Sequence, residues 1–125
     1  MNVIISPTGY GPITFEAKRD AAYARQDLER RSVSISIWES VDDWWYAELK
    51  YLTTWEIERN FTRLFVHPSL SRACVSIREA AKTMFPPGAG YPAMPQFETR
   101  QAKLQGMLET LTLVALSEVL RQVSE

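Results

Sequence analysis

One short segment of the chain alternates between apolar and polar residues without a break. Over residues 32–38, three serines alternate with Val33, Ile35 and Ile37. Successive side chains of a β-strand point to opposite faces, so this pattern places the aliphatic side chains on one face and the serines on the other. The segment is therefore predicted to be a strand with one buried face.

The sequence before this strand predicts a shorter strand and a helix. Residues 2–5 are mostly apolar and lead into a loop over residues 6–12 that contains two Gly and two Pro. Apolar residues then recur at helical spacing, at Ala17, Ala21, Ala24 and Leu28. This spacing predicts an amphipathic helix from about Phe15 to Arg31. Two arrangements stay open, in which the strands flanking this helix run parallel or antiparallel.

Residues 41–65 are also predicted to be helical. Ser40 and Asp43 stand at the spacing of a capping pattern, which places a helix start at Val41. Two apolar stripes follow, the first at Val41, Trp45, Leu49 and Leu52 and the second at Ile57, Phe61, Leu64 and Phe65. The stripes point in different directions, so two helices that meet near Thr53 are favoured over one helix buried on both sides.

Two more helices are predicted on either side of a proline-rich loop. The first starts at Ser69 or Ser71 and ends at Phe85. The loop over residues 86–95 contains four Pro and two Gly, and the last helix spans about residues 97–123. The C-terminal half of this helix carries a second apolar stripe, at Leu113, Leu116, Leu120 and Val123. The stripe predicts either a helix at the centre of the bundle or a homodimer contact, and we favour the homodimer.

Together these elements predict one globular domain over residues 1–125, of the α+β class and mostly helical. A chain of 125 residues is long enough for one hydrophobic core and too short for two. The predicted architecture has four to five helices and a small two- or three-stranded sheet from the N-terminal third. Its parts are a strand–helix–strand unit over 1–40, helices over 41–85, the proline-rich loop over 86–95 and a C-terminal helix over 96–125.

Charge and cysteine content exclude several classes of protein. Fourteen Lys and Arg against fifteen Asp and Glu give a net charge of -1, which argues against binding nucleic acid or a membrane surface through overall charge. The single cysteine, Cys74, excludes an intramolecular disulfide and suits a reducing compartment, so we expect a cytoplasmic protein. We also expect no secretory signal, and no apolar segment approaches the roughly 20 residues of a membrane span.

Few residues are candidates for chemistry. His67 is the only histidine and is expected at a helix end, while Cys74 lies in an apolar stripe where a thiol is protonated and unreactive. Asp42 and Asp43, the only adjacent acidic pair, are explained by helix capping. No zinc, calcium or phosphate-binding motif is present. We therefore predict no catalytic residue, no metal and no cofactor.

Aromatic residues are concentrated in one part of the chain, with eight of fourteen between residues 38 and 65. On a helix, Trp44, Tyr51 and Trp55 form a ridge that is either part of a thick aromatic core or an exposed anchor for a protein partner. The predicted acidic rim of this anchor consists of Glu39, Asp42, Asp43 and Glu48. The proline-rich loop offers a second binding segment, at Tyr91 and Met94.

The predicted function is binding to another protein without catalysis, because no catalytic set converges in the sequence. Small inhibitors, immunity or anti-defence factors and adaptors are proteins of this size and type. The first alternative is a small enzyme whose site combines His67 with acidic residues. The second alternative is a nucleic-acid binder that uses the arginines of the 15–31 helix, at Arg19, Arg25, Arg30 and Arg31.

Overall fold

The computed structural model describes residues 1–56, 58–84 and 95–124. Five strands are followed by two helices in these residues: β1 (Asn2–Ile5), β2 (Ile13–Leu28), β3 (Arg31–Ser40), β4 (Trp45–Thr53), β5 (Phe61–His67), α1 (Leu70–Ala81) and α2 (Pro95–Ser124). Each strand pairs antiparallel with the next in sequence, which makes the sheet a five-stranded meander. The predicted mostly helical fold with four to five helices is therefore wrong.

The main core lies between the sheet and the two helices. The strand predicted over residues 32–38 is confirmed as the centre of β3, where Val33, Ile35 and Ile37 are fully buried. The helices cover this face with buried side chains, among them Ala73, Cys74 and Ile77 from α1 and Leu108, Leu116 and Val119 from α2. The alternation of β3 therefore sets which face of the sheet receives the helices.

A second, smaller core lies on the opposite face of the sheet. Two irregularities in the β2–β3 register, between residues 17 and 19 and between residues 20 and 22, let β2 bend. The first part of β2 pairs with β1, and the later part pairs with β3. Phe15 of the first part stacks on Tyr46 with ring centroids 3.8 Å apart and meets Trp38 edge-on at 5.9 Å. This curl places β1 and its following loop close to β5.

The helix predicted over residues 15–31 is wrong, since these residues belong to β2. Alternate residues of a strand face the same side of the sheet. Phe15 and Ala17 are buried in the smaller core on one face, whereas Ala22 and Ala24 are buried in the main core on the other face. Because the buried face changes along β2, its apolar residues lose the strict alternation of a half-buried strand, and their spacings imitate a helix. The strands flanking this segment, β1 and β3, are not neighbours because β2 lies between them.

The helices predicted between residues 41 and 65 are also wrong, because β4 and β5 occupy this region. Residues four apart share a face in a strand as well as in a helix, so the pairs Trp45/Leu49 and Phe61/Phe65 fit both periods. The change of direction that the sequence shows near Thr53 marks the end of β4. A loop rather than a second helix follows it.

The first predicted strand and the last two predicted helices are confirmed. β1 covers the strand predicted over residues 2–5, and α2 covers the helix predicted over 97–123. α1 begins after Ser69, whose hydroxyl caps the first turn by accepting a hydrogen bond from the Arg72 N–H. It ends at Ala81, before the predicted end at Phe85.

Most of the predicted proline-rich loop lies outside the described residues. Pro95 is described as the first residue of α2. The second predicted binding segment, at Tyr91 and Met94, lies outside the described residues. Within the described ranges, neither helix has the length and apolar character that crossing a membrane requires.

Candidate functional site

The predicted anchor Trp44 lies in the tight turn between β3 and β4. Ser40 closes this turn, because its N–H donates to the Trp44 carbonyl at 2.8 Å and its hydroxyl accepts from the Trp44 N–H at 3.0 Å. Asp43 adopts a left-handed backbone with φ 67°, a conformation that Asp tolerates better than most residues. The Ser40–Asp43 pattern therefore forms a turn and not a helix start. Trp44 is 42% exposed.

Three of the four predicted rim residues lie in or next to the turn that contains Trp44. Asp42 and Asp43 are exposed in the turn, and Glu39 lies near the end of β3. Lys18 of β2 donates to Asp43 at 2.9 Å, and Arg19 donates to Glu39 at 3.2 Å. Two of the three carboxylates therefore already have a cationic partner within the chain, which weakens the predicted attraction for a basic protein.

The other residues of the predicted ridge lie elsewhere, because a strand replaces the helix that aligned them. Tyr51 is fully buried in the main core. Trp55 lies beyond the end of β4, with the Arg30 guanidinium 4.8 Å from its ring centroid. Glu48 is buried in the middle of β4, and burial raises the pKa of its carboxyl although the Lys50 ammonium lies 3.8 Å away. The ridge therefore does not form one surface.

A buried ion pair fixes the loop after β4. Arg31 donates from Nε at 3.0 Å and from Nη2 at 2.5 Å to the Glu58 carboxylate. The hydroxyls of Tyr51 and Thr53 also donate to Glu58. Burial raises the pKa of the Glu58 carboxyl, but the hydrogen bonds from Arg31, Tyr51 and Thr53 outweigh burial and hold the pKa below its ordinary value. This network is internally paired, so it holds the loop in place.

The predicted dimer residues contribute unequally to the surface of α2. Leu116 is buried in the main core, and Leu120 and Val123 pack against that core. Leu113 is 36% exposed. Most of the predicted stripe thus contacts the chain's own sheet, as the alternative of a central helix required. The homodimer stays a prediction.

His67 and Cys74 do not form a pair for nucleophilic chemistry. His67 Nε2 lies 2.7 Å from Ser76 Oγ. Cys74 is buried, as predicted, and burial raises the pKa of its thiol. No acidic side chain among the described residues hydrogen-bonds to His67, which the enzyme alternative would require. Those residues also hold no group of three or more His, Cys, Asp or Glu suited to a metal ion.

The arginines of the nucleic-acid alternative are distributed over two strands and the turn between them. Each contacts a carboxylate or an aromatic ring: Arg19 contacts Glu39, Arg25 contacts Asp27, Arg31 contacts Glu58 and Arg30 stacks on Trp55. The basic helix face on which that alternative depended is therefore absent from the fold.

One edge of the sheet is formed by β5, and half of its backbone groups point away from β4. Thr62 shows this direction, because its carbonyl accepts from the Thr8 N–H at 2.9 Å and its N–H donates to the Thr8 hydroxyl at 2.8 Å. Backbone direction alternates along a regular antiparallel strand, so Leu64 and Val66 point the same way as Thr62. Neither makes a backbone hydrogen bond on that side with any described residue.

An apolar cleft of about 680 Å³ lies between β5 and the loop that follows β1. Its lining comprises Pro7, Thr8, Tyr10 and Ile13 on one side and residues 61–66 on the other. Arg63 is the only charged residue among the described residues of this lining, and its guanidinium lies 5.8 Å from the Phe61 ring centroid. No described carboxylate forms an ion pair with Arg63. The cleft therefore combines apolar walls, one cation and an open strand edge.

The second half of β2 forms another edge of the sheet, and this edge is protected. Gln122 of α2 accepts from the Tyr23 N–H at 3.0 Å and donates to the Tyr23 carbonyl at 2.7 Å, as a neighbouring strand would. The next outward-pointing residues, Arg25 and Asp27, are charged and disfavour pairing with another chain. At Leu64 and Val66, by contrast, β5 has no charged residue, and no described side chain pairs with the outward backbone groups.

The β5 edge is absent from the predicted fold because the apolar spacing of these residues also fits a helix. A signal was present, since Phe61–His67 is rich in aromatic and β-branched residues and ends before Pro68. The contact between Thr8 and Thr62 joins residues 54 positions apart, which no local pattern predicts.

The open edge and its cleft form the described surface best suited to binding another molecule. No protein family, no curated protein and no solved structure matches this chain. What the edge binds must therefore follow from its own residues and backbone groups.

Proposed function

We propose that the chain is a non-enzymatic protein-binding protein, and that it takes up an extended segment of its partner as an additional strand beside β5. The observation that carries the proposal is the unpaired backbone of Leu64 and Val66 beside an apolar cleft. An added strand supplies N–H and C=O groups to the edge and places alternate side chains into the cleft.

Thr8 supports this mode of binding. Its backbone N–H and its hydroxyl already pair with Thr62 in the manner of a sixth strand. A partner segment continues this pairing along Leu64 and Val66, and each backbone hydrogen bond contributes about 1 kcal/mol. The difference between the protected β2 edge and the open β5 edge also supports the proposal, because an unprotected apolar edge favours association with other chains.

The proposal also includes the class of protein and the compartment that the sequence predicts. A small inhibitor, an immunity or anti-defence factor and an adaptor all act through one binding surface without catalysis. The single buried thiol of Cys74 supports a reducing compartment, and we propose the cytoplasm.

A proline substitution tests the proposal directly. Val66→Pro removes the outward N–H of β5 without removing a hydrogen bond to β4, because this N–H points away from β4. Ile4→Pro is the matched control, since the hydrogen bond from the Ala17 N–H to the Met1 carbonyl places Ile4 at an outward position of β1. Partners are captured from the native host's lysate with each variant and quantified by mass spectrometry.

We expect Val66→Pro to reduce partner recovery at least about tenfold and Ile4→Pro to leave it unchanged. Thermal unfolding of both variants shows whether each one is folded. Val66→Lys provides a second test if the proline variant unfolds, because a lysine on an edge strand opposes pairing. If folded Val66→Pro and Val66→Lys both recover the same partners at wild-type levels, the β5 edge is not the binding surface.

A further inference from the structure

We infer that the segment bound at β5 is an acidic, otherwise apolar strand of another protein, with a carboxylate opposite Arg63. This inference rests on the proposed strand addition and specifies the chemistry of the partner. Arg63 is the one cation in the described lining of the cleft, and Phe61 and Phe65 flank it along the strand on the same face.

No described carboxylate of the chain pairs with Arg63, so a bound partner can supply one. On the β4 side, the residue directly opposite Arg63 is Leu49, which is apolar and fully buried. Among the described residues, no acidic side chain lines the cleft. In a sheet, residues directly opposite each other have Cβ atoms about 4.5 to 5.5 Å apart, and a pair of opposite charges there is favourable. A strand added outside β5 therefore places its own carboxylate within reach of the guanidinium.

A second copy of this chain fits the edge less well. Antiparallel pairing of two β5 strands that joins Leu64 of one copy to Val66 of the other places Arg63 opposite His67 of the second copy. Neither residue then gains a carboxylate. A fatty acid also meets the apolar walls and Arg63, but its chain has no groups to pair with the backbone of Leu64 and Val66.

Selection from a random heptapeptide library displayed on phage tests the inference. We expect peptides selected on the wild-type protein to carry Asp or Glu at one position between apolar residues. On Arg63→Glu, we expect the preference at that position to change to Lys or Arg. Arg25→Glu is the matched control, because Arg25 is an exposed arginine of a strand edge outside the cleft, and it should keep the acidic preference.

The outcomes separate this inference from the proposed function. If the selected peptides lose binding to Val66→Pro but show no acidic preference, strand addition is supported and the inferred partner carboxylate is contradicted. An acidic preference that persists on Arg63→Glu also overturns it. Peptides that bind folded Val66→Pro as well as wild type contradict strand addition itself. If dodecanoate binds and no peptide is selected, the occupant is a lipid and the inference is wrong. If the wild type has the mass of two chains and Val66→Pro has the mass of one, the occupant is a second copy and the inference is also wrong.

Discussion

At the scale of single residues, Glu58 holds the β4–β5 loop through a buried ion pair with Arg31. The side chains of Glu58 and Arg31 are 2% and 15% exposed, so removal of the carboxylate leaves a charge without a partner in a largely buried place. We expect Glu58→Ala to lower the free energy of unfolding by about 3 kcal/mol in urea denaturation. Glu118→Ala removes an exposed pair with Arg121 and should destabilise the fold much less. Equal losses in the two variants would contradict a structural role for Glu58.

The same carboxylate makes stability depend on pH. Because the pKa of Glu58 is lower in the folded state than its ordinary value of 4.5, its ionised form stabilises the fold. This contribution is present above pH 4.5 and is lost as pH falls through the folded pKa. We expect the urea midpoint of the wild type to decline below pH 4.5 more steeply than that of Glu58→Gln. Parallel pH profiles would show that the hydrogen bonds do not favour the ionised form.

The change of stability with pH that we expect from Glu48 has the opposite sign to that from Glu58. Burial raises the pKa of this carboxyl, so the folded state favours the neutral acid, and stability is lost as pH rises through the folded pKa. We expect Glu48→Gln to raise the free energy of unfolding at pH 7, by on the order of 0.5 kcal/mol. Lys50 opposes this effect, since its ammonium lies 3.8 Å from the carboxylate. A loss of stability in Glu48→Gln would show that Lys50 outweighs burial.

At the scale of elements, α1 shows how a local pattern translates into packing. Cys74 and Ile77 lie on its buried face, whereas Val75 is 50% exposed. We expect Ile77→Ala to cost about 2 to 4 kcal/mol and Cys74→Ala about 1 kcal/mol, while Val75→Ala should change stability by less than about 0.5 kcal/mol. The Cys74 thiol should react slowly with a thiol reagent in the absence of denaturant. Rapid labelling of the native protein would contradict this packing.

Elements differ in how far their own residues define them. β3 and α1 each show one period throughout, and Ser69 caps the start of α1, so the sequence predicts both. β2 does not, because its first part is buried on one face of the sheet and its later part on the other, so that its apolar residues imitate helical spacing. β4 and β5 contain apolar pairs four residues apart, which fit either structure.

At the scale of the whole molecule, α2 lies against its own sheet and against α1. Because Leu116, Leu120 and Val123 are used within the chain, we expect light scattering to give the mass of one chain at high micromolar concentration. Leu113→Asp places a charge on the exposed side of the predicted stripe and should leave this mass unchanged. A dimer mass that Leu113→Asp abolishes would instead support the homodimer predicted from the sequence.

Local chemistry was sufficient to predict the central strand β3, the helices α1 and α2 and the burial of Cys74. Each depends on spacings within a few turns or strand residues, which a single chain segment shows on its own. Tertiary structure alone decided the curl of β2, the pairing of β4 with β5 and the two contacts that distinguish the sheet edges. Gln122 reaches Tyr23 across 99 positions, and Thr8 reaches Thr62 across 54. Such contacts form only when the packed sheet brings distant segments together, and they determine that β2 is protected while Leu64 and Val66 of β5 present an open edge.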